Sequence, residues 1–446
     1  MTGSSDRLPA ASGRGRRWPI DIRPQERHLV GWCWLYIFAV LSSYYILRPI
    51  RDQAGVAGGV NNLQWLFTAT LAGMLVLNIP FAYLVKTLPR RRFIAITYHF
   101  FVVNILLFAA LFHGADASQI VWVGRIFFVW VSVFNLFVVS VFWQVNVDVF
   151  TPEQGKRLFG VIAAGATLGA IVGSGTTAAL ARHVPPMLLL LGAAVLLEIA
   201  VLSAQRLSSL SAALDRRGMP DGAEAPIGGS VWAGITRVVR SPYLLNVSVF
   251  VLLFAITSTF LYFEQAAIVS TSFRDRGAQT AFFATVDLLV NVLTLIVQLF
   301  LTGPIVLAVG VAVPLAFLPA LTIAGFGVLA LTPTLMVIAT VQVVRRAADY
   351  AIARPAREML YTVVPREDRY KAKSMIDTVV YRTGDQLGAW GVALLRMVGL
   401  APVQASLVVI PLAVVWLVNA LWLGRRQERL AAGLGARQPA AATTTR

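Results

Sequence analysis

Residues 120–147 read IVWVGRIFFVWVSVFNLFVVSVFWQVNV, and the one charge among them is Arg125. A helix needs about 20 apolar residues to cross the ~30 Å hydrocarbon layer, where only helices and closed barrels satisfy every backbone group. The alternation expected of barrel strands is missing, so the stretch predicts a transmembrane helix. The same criterion places spans near 29–47, 63–85, 93–112, 158–181 and 186–204 in the same half of the chain. Six more follow near 243–263, 280–302, 309–331, 334–353, 374–397 and 402–423. Composition agrees: 57% of the 446 residues are hydrophobic and 13% charged, whereas soluble domains hold about 45–50% and about 25%.

A formal net charge of +17 would suggest nucleic acid in a soluble protein. Here the basic residues fall in alternate short loops and tails, which reads as topology. The N-terminal arginines, Lys86 with Arg90 to Arg92, Lys156 with Arg157, the run from Arg206 to Arg240, Arg366 to Lys373, and Arg425 onward all lie on one side. The positive-inside tendency makes that side the cytoplasm, with both termini in it, and a bacterial inner membrane is the expected location. The loop after 302 departs from the pattern, having no Lys or Arg, and Pro304, Pro314 and Pro319 make the ninth span hard to place. The first apolar run is too long for a signal-peptide core and has no small-residue cleavage site, so it is expected to be retained. One cysteine, Cys33, rules out a disulfide framework or a thiolate metal site.

Residues 205–242 form the longest internal polar stretch and are expected to link two units. The predicted division is a tail over 1–28, a six-helix bundle over 29–204, the linker, a second bundle over 243–423 and a tail over 424–446. An internal repeat supports it: GATLGA at 165–170 recurs as GDQLGA at 384–389, in the fifth span of each half and after a proline-initiated basic loop. Duplicated halves around a central site are a common transporter plan. Six plus six helices, a long central loop and internal termini resemble the major facilitator superfamily. The expected fold is therefore an all-α polytopic membrane protein with twelve helices in two pseudo-symmetric bundles.

Charges inside spans cost at least about 2.5–3.5 kcal/mol each, so each calls for a partner, water or a function. The first span ends in YYILRPIRD at 44–52, where Pro49 is expected to end or kink the helix and leave Arg48 and Arg51 at its mouth. Two arginines suit a phosphate or carboxylate; the alternative is a structural gate in which they pair with Asp52 and Glu264. Tyr262-Phe263-Glu264-Gln265 is expected to end the seventh span at the equivalent place. Asp287 and Asn291, four apart on the eighth span, share a face with Gln298 further along, either lining a cavity or bonding a neighbouring helix. The tenth span holds Arg345, Arg346 and Asp349, and the eleventh holds Arg382, Asp385 and Gln386. Arg345 with Asp349, and Arg382 with Asp385, share faces and can neutralise one another, whereas Arg346 has no partner on its own helix. Gly165, Gly169 and Gly173 form a small-residue ladder for close helix packing.

The Leu47-Arg48-Pro49-Ile50-Arg51-Asp52 string is similar to the Leu-Arg-x-x-Lys-Asp stretch of the ATP/ADP translocase family, the nucleotide transporters of plastids and obligate intracellular bacteria, with Arg51 in place of the lysine. Phe142-Trp143, followed by Lys156-Arg157-Leu158-Phe159-Gly160, is similar to that family's Phe-Trp and Lys-Arg-Phe segments. The resemblance implies exchange of a nucleoside triphosphate for a diphosphate, with Arg48, Arg51, Asp52, Lys156 and Arg157 as candidate contacts. Lys156 and Arg157 also fit a basic loop at the cytoplasmic surface, which needs no substrate.

The sequence contains no Gly-x-x-x-x-Gly-Lys-Ser/Thr loop, no His-Glu-x-x-His and no Gly-x-Ser-x-Gly. No catalytic residue, metal ligand or cofactor is therefore expected, and the chain is not read as an enzyme. Its partners should be a small, anionic solute and the lipid bilayer, not nucleic acid, and it should act as a monomer. Arg48, Arg51, Asp52, Asp287, Asn291, Arg346, Arg382 and Asp385 are the candidate substrate contacts. Glu264, Arg345, Asp349, Lys156 and Arg157 are candidates for gating or charge pairing. A proton-coupled carrier of another metabolite or drug, and a membrane scaffold or sensor that does not transport, are the alternatives.

Overall fold

The computed structural model describes residues 22–215, 238–302, 310–400 and 402–437. Twelve long helices and no strand occur among them. The first six are α1 (Arg27–Ala57), α2 (Leu63–Thr87), α3 (Arg90–Gly114), α4 (Gln119–Val149), α5 (Pro152–Leu180) and α6 (Pro186–Asp215). They are followed by α7 (Pro242–Ser272), α8 (Arg276–Phe300) and α9 (Ala312–Leu331). In α10, Leu335–Ala348 runs through a π-helical turn, Asp349–Ala353, into Arg354–Leu360. In α11, Arg366–Met375, a second π turn at Ile376–Val380 and Tyr381–Met397 make one rod, and α12 is Pro402–Arg437. Ten of the twelve are long and apolar enough to cross a membrane on that ground alone, and α10 and α11 are the two that are not. Those two carry the densest intramembrane charge, which lowers their hydropathy without shortening them.

Local sequence sets the starts. Thr151 caps α5 by accepting from Gln154 N while Gln154 Oε1 accepts from Thr151 N, a reciprocal box that satisfies two donors left open at a helix N-terminus. Ser241, Asp275 and Thr334 cap α7, α8 and α10 in the same way through a side-chain oxygen. The helix ends differ from the sequence-based placement in two places that matter. Pro49 neither ends nor visibly interrupts α1, which continues to Ala57 with Ile50, Asp52, Gln53 and Ala54 buried. Likewise α7 runs through Glu264 to Ser272. Neighbouring helices enclose both segments, so the chain has no water to turn toward, and a proline's lost backbone bond is tolerated inside a bundle.

α1 forms the axis of the first bundle and packs on α4, α5 and α6, and α3 packs on α6. In the second bundle α7 plays that part against α11 and α12, with α9 on α12 and α8 on α10. Between the bundles α1 and α5 meet α8, and α2 meets α11. The repeated glycines explain the matching axes. A Cβ on Gly169 would strike the Phe38 carbonyl oxygen, and one on Gly173 the Ser42 carbonyl oxygen. In the second bundle a Cβ on Gly384 would come within 2.6 Å of Ala255 Cβ, and one on Gly388 within 2.8 Å of Thr259 Cβ. In both halves the fifth helix therefore lies directly on the backbone of the first, which only glycine permits.

The π turn of α10 has a visible cause. One extra residue in the turn frees carbonyls from the helical ladder, and an orphaned carbonyl in a bundle core is costly. Side chains of the α8 end take them up: Gln298 Nε2 donates to Tyr350 O at 3.3 Å and Thr302 Oγ1 to Ala351 O at 2.8 Å.

Candidate functional site

Where the bundles face each other they enclose a cavity of about 260 Å³, lined from α1, α2, α4, α7, α8, α10 and α11. Its charged lining consists of Arg48, Arg51, Arg345, Arg346, Arg354 and Arg382 against Asp52, Asp287, Asp349 and Asp385. Six cations face four anions, so the wall holds two arginines in excess when all are ionised. Phe67, Phe128, Phe254, Phe283, Tyr262, Tyr350 and Tyr381 fill the spaces between them. Several rings lie under guanidinium groups: Arg51 is 5.2 Å from the Phe128 centroid, Arg345 is 5.5 Å from Phe254 and Arg354 is 4.4 Å from Tyr350. Arginine tolerates such partly dehydrated surroundings better than lysine because its charge is spread over a plane.

Pairing follows the fold more than the single helix. Arg51 chelates the neighbouring Asp52 through Nη2 at 2.6 Å and Nε at 3.0 Å, and Tyr262 of the other bundle donates its hydroxyl to the same oxygen at 3.1 Å. Arg48 lies 4.0 Å from Asp52 and 3.5 Å from Asp287. Arg346, unpaired on its own helix, finds Asp287 of α8 at 2.7 Å. One carboxylate, 2% exposed, thus serves two guanidinium groups drawn from opposite bundles. Three polar atoms of this triad, Arg48 Nε, Arg346 Nη2 and Asp287 Oδ2, are buried without a hydrogen-bond partner.

Two expected pairings resolve differently. Asp349 bonds Arg354 at 3.1 Å and not Arg345. Arg345, 3% exposed, instead donates to the hydroxyls of Thr322, Thr257 and Ser258 at 3.0, 3.1 and 2.9 Å. Along the helix Arg345 and Asp349 do share a face, but the π turn begins at Asp349 and carries its carboxylate toward Arg354. Arg382 and Asp385 pair at 3.0 Å, and Thr259 also donates to Asp385 at 3.4 Å.

Asn291 does not reach the cavity wall. Its amide donates back to Asp287 O at 2.8 Å, the polar residue one turn on satisfying its own helix. Glu264 meets neither Arg48 nor Arg51; its charged neighbour is Arg396, near the end of α11. Arg157 sits at the start of α5, away from the cavity, and grips Glu26 just before α1 with Nη2 at 2.6 Å and Nη1 at 2.9 Å. That contact holds the Glu26 carboxyl below its ordinary range. Lys156 lies on the same helix turn, and its side chain is outside the described residues.

Contacts between the bundles gather at the end of the molecule that carries loop 58–62. Gln53 meets Gln279 at 3.5 Å, Thr68 meets Gln386 at 3.0 Å, and Trp390 Nε1 donates to Thr68 at 3.1 Å. Trp65 stacks edge-on against Trp390 at 4.8 Å, and Arg396 Nη1 donates to Val60 O at 3.1 Å. Arg125, the one charge in the 120–147 run, donates to Gly58 O at 2.9 Å and holds the same loop. The cavity is thus sealed at one end.

Sequence reasoning found most of the charged wall because a charge in an apolar run stands out. It missed Tyr262 as a ligand of Asp52, the hydroxyl cradle of Arg345 and the part of Arg396 in the seal. Hydroxyls in apolar helices give no such signal, and Arg396 sits close enough to a span end to pass as a surface residue.

No family model and no curated protein matches the chain. Among solved structures, a bacterial homologue of the human lysosomal transporter Spinster, inward-facing and unoccupied, aligns with a TM-score of 0.58 at 14% identity over 92% of this chain and 99% of that one. A POT family transporter in complex with 5-aminolevulinic acid gives 0.60 at 11% identity over 90% and 96%. A bacterial homologue of the iron transporter ferroportin in an inward-facing state gives 0.60 at 14% identity over 89% and 98%. The chain therefore shares the fold of these transporter structures, here twelve long helices in two bundles about a central cavity.

Proposed function

We propose that the chain is a secondary transporter that moves a small anionic solute across a bacterial inner membrane by alternating access. The single observation that carries the reading is the cavity wall: two arginines in excess, drawn from both bundles, around a space between the halves that inter-bundle contacts close at the end with loop 58–62. Isolated charges are expensive in a bilayer, and a solute of opposite sign is what makes an unbalanced set worth keeping. The three inter-bundle ligands, Arg48, Asp287 and Tyr262, lie where rocking of the halves would change their distances. The alternate basic loops support an orientation with both termini cytoplasmic, which makes the sealed end the outer one. Nucleotides head the candidate solutes, because the Leu47–Asp52 string that resembles the ATP/ADP translocases contributes Arg48, Arg51 and Asp52 to this wall.

The test is uptake of labelled ATP, ADP and a panel of organic anions by reconstituted protein, repeated with Arg51→Ala. Uptake of one anion, competed by its unlabelled form and reduced at least about tenfold in the variant, is the expected result, a loss of ~1.4 kcal/mol or more of anion binding. Failure of every nucleotide to enter or compete removes nucleotide exchange, and collapse of uptake with an uncoupler assigns proton coupling to the same cavity. Absence of uptake for all anions removes the anion-carrier reading.

A further inference from the structure

Asp287 is an unusual lining residue for an anion site, since it adds a negative charge at the point where two arginines converge. Its carboxylate is 2% exposed, Arg346 Nη1 holds one oxygen at 2.7 Å and Arg48 Nη1 reaches the same oxygen at 3.5 Å. The second oxygen has no hydrogen-bond partner, and neither has Arg346 Nη2 or Arg48 Nε, which Asp52 approaches only to 4.0 Å. A carboxylate placed to satisfy two guanidinium groups fully would use both oxygens, as fork-to-fork pairs do. This one uses a single oxygen and leaves two guanidinium donors unfilled beside the cavity.

We propose that Asp287 is a built-in counter-anion, which occupies Arg48 and Arg346 when the cavity holds no solute and gives way to an oxyanion of the solute, a carboxylate or phosphate group, when it does. The inference rests on the carrier reading and deepens it by assigning the anion-binding pair. Two guanidinium groups facing each other across the bundles repel at low dielectric, and leaving a buried charge unpaired is strongly destabilising. Asp287 removes that repulsion in the empty protein. It also weakens solute binding, because the solute must compete with a tethered carboxylate for the same donors. Arg354 with Asp349 and Arg382 with Asp385 are one-to-one, and although Asp52 faces both Arg51 and Arg48, none of these three carboxylates has a buried oxygen without a hydrogen-bond partner.

The proposal predicts an effect opposite to that of removing an ordinary site residue. The full chain in detergent is titrated with inorganic phosphate, ATP and succinate at constant ionic strength, and thermal stabilisation gives the midpoint concentration for each probe. Asp287→Asn keeps shape and removes the competitor. Its midpoint for inorganic phosphate and for at least one larger probe should fall about tenfold, the factor that ~1.4 kcal/mol converts to. Arg346→Gln should lose stabilisation by the same probes. Which probe gains most tells a phosphate group from a carboxylate as the natural ligand. Unchanged or weaker binding in Asp287→Asn, or no stabilisation of that variant by any probe, overturns the proposal. Should the single variant fail to fold, Asp287→Asn with Arg346→Gln removes both charges of the pair. That protein should fold and bind the probes at least about tenfold more weakly than wild type, and wild-type binding in it overturns the proposal. The two failures are separable: transport with unaltered affinity in Asp287→Asn sinks only the counter-anion role, and no transport of any anion sinks the anion-carrier reading.

Discussion

Glu26 shows how one residue outside the bilayer can be read for stability. It is 5% exposed, and its two oxygens take both terminal nitrogens of Arg157, with further donors from Arg23 N and the Gln154 amide. The Arg157 guanidinium, foremost among these contacts, lowers the carboxyl below its ordinary value of 4.5, and burial opposes it. A depressed carboxylate contributes stability that is complete above its unfolded value and is lost as pH falls through the folded one. The melting temperature of the purified protein should therefore hold from neutral pH to about 5 and fall below about 4. Glu26→Gln should cost about 1.5–3 kcal/mol at pH 7, the range for hydrogen bonds to charged groups, and should flatten the acid limb. A variant that melts with the wild-type acid limb would show that the pair contributes nothing. The charged residues of the cavity wall were legible in the sequence for the opposite reason, being buried where charge is anomalous. Their partners were not legible, because Arg346 with Asp287 and Arg48 with Asp287 join different helices, and helical spacing speaks only for pairs on the same one. Arg345 and Asp349 mark where that limit misleads: they have the right spacing, but Asp349 opens a π turn and pairs with Arg354 beyond it.

At the scale of the element, the helices were legible because a bilayer imposes a length on every span and a cost on every charge. Their ends were less so. Pro49 and Glu264 look like stop signals in isolation, but both lie within helices enclosed by neighbours, where continuing is cheaper than exposing backbone groups. The glycine seams were visible as a repeated string, and their geometry makes a sharp prediction. Gly169→Ala and Gly388→Ala should each cost about 1–3 kcal/mol or more through overpacking against α1 and α7. Gly160→Ala, on α5 with nothing near its missing Cβ, should be neutral or slightly stabilising. Thermal melts of the three variants check this, and equal melting temperatures would mean that the seams relax freely. The π turns were invisible to periodicity because a single extra residue hardly disturbs an apolar pattern. The one in α10 declares itself through Gln298 and Thr302, at and just beyond the end of α8, which donate hydrogen bonds to the freed carbonyls.

Across the whole molecule, the two bundles touch where Gln53, Thr68 and Trp65 of the first meet Gln279, Gln386 and Trp390 of the second. If rocking about the central cavity moves the solute, that end must part. In a Cys33→Ser background, Gln53→Cys with Gln279→Cys joined by a short thiol–thiol cross-linker should stop uptake, and cleavage of the linker should restore it. Either single cysteine treated with the reagent should retain activity, and full uptake by the joined protein would exclude opening at this end. The chemistry of the closure has a consequence of its own. Amides, a hydroxyl and two indoles set edge to face make most of it, with Arg396 bonding a carbonyl and an amide oxygen across the boundary. Contacts among neutral groups change little with ionic strength or acidity, and Arg396 is the one cation among those named, whereas the guanidinium–carboxylate cluster at the centre is sensitive to any charge that comes beside it. The closed end is therefore largely indifferent to the salt and acidity beside it, and the charged cluster is the part of the molecule that an arriving ion would disturb.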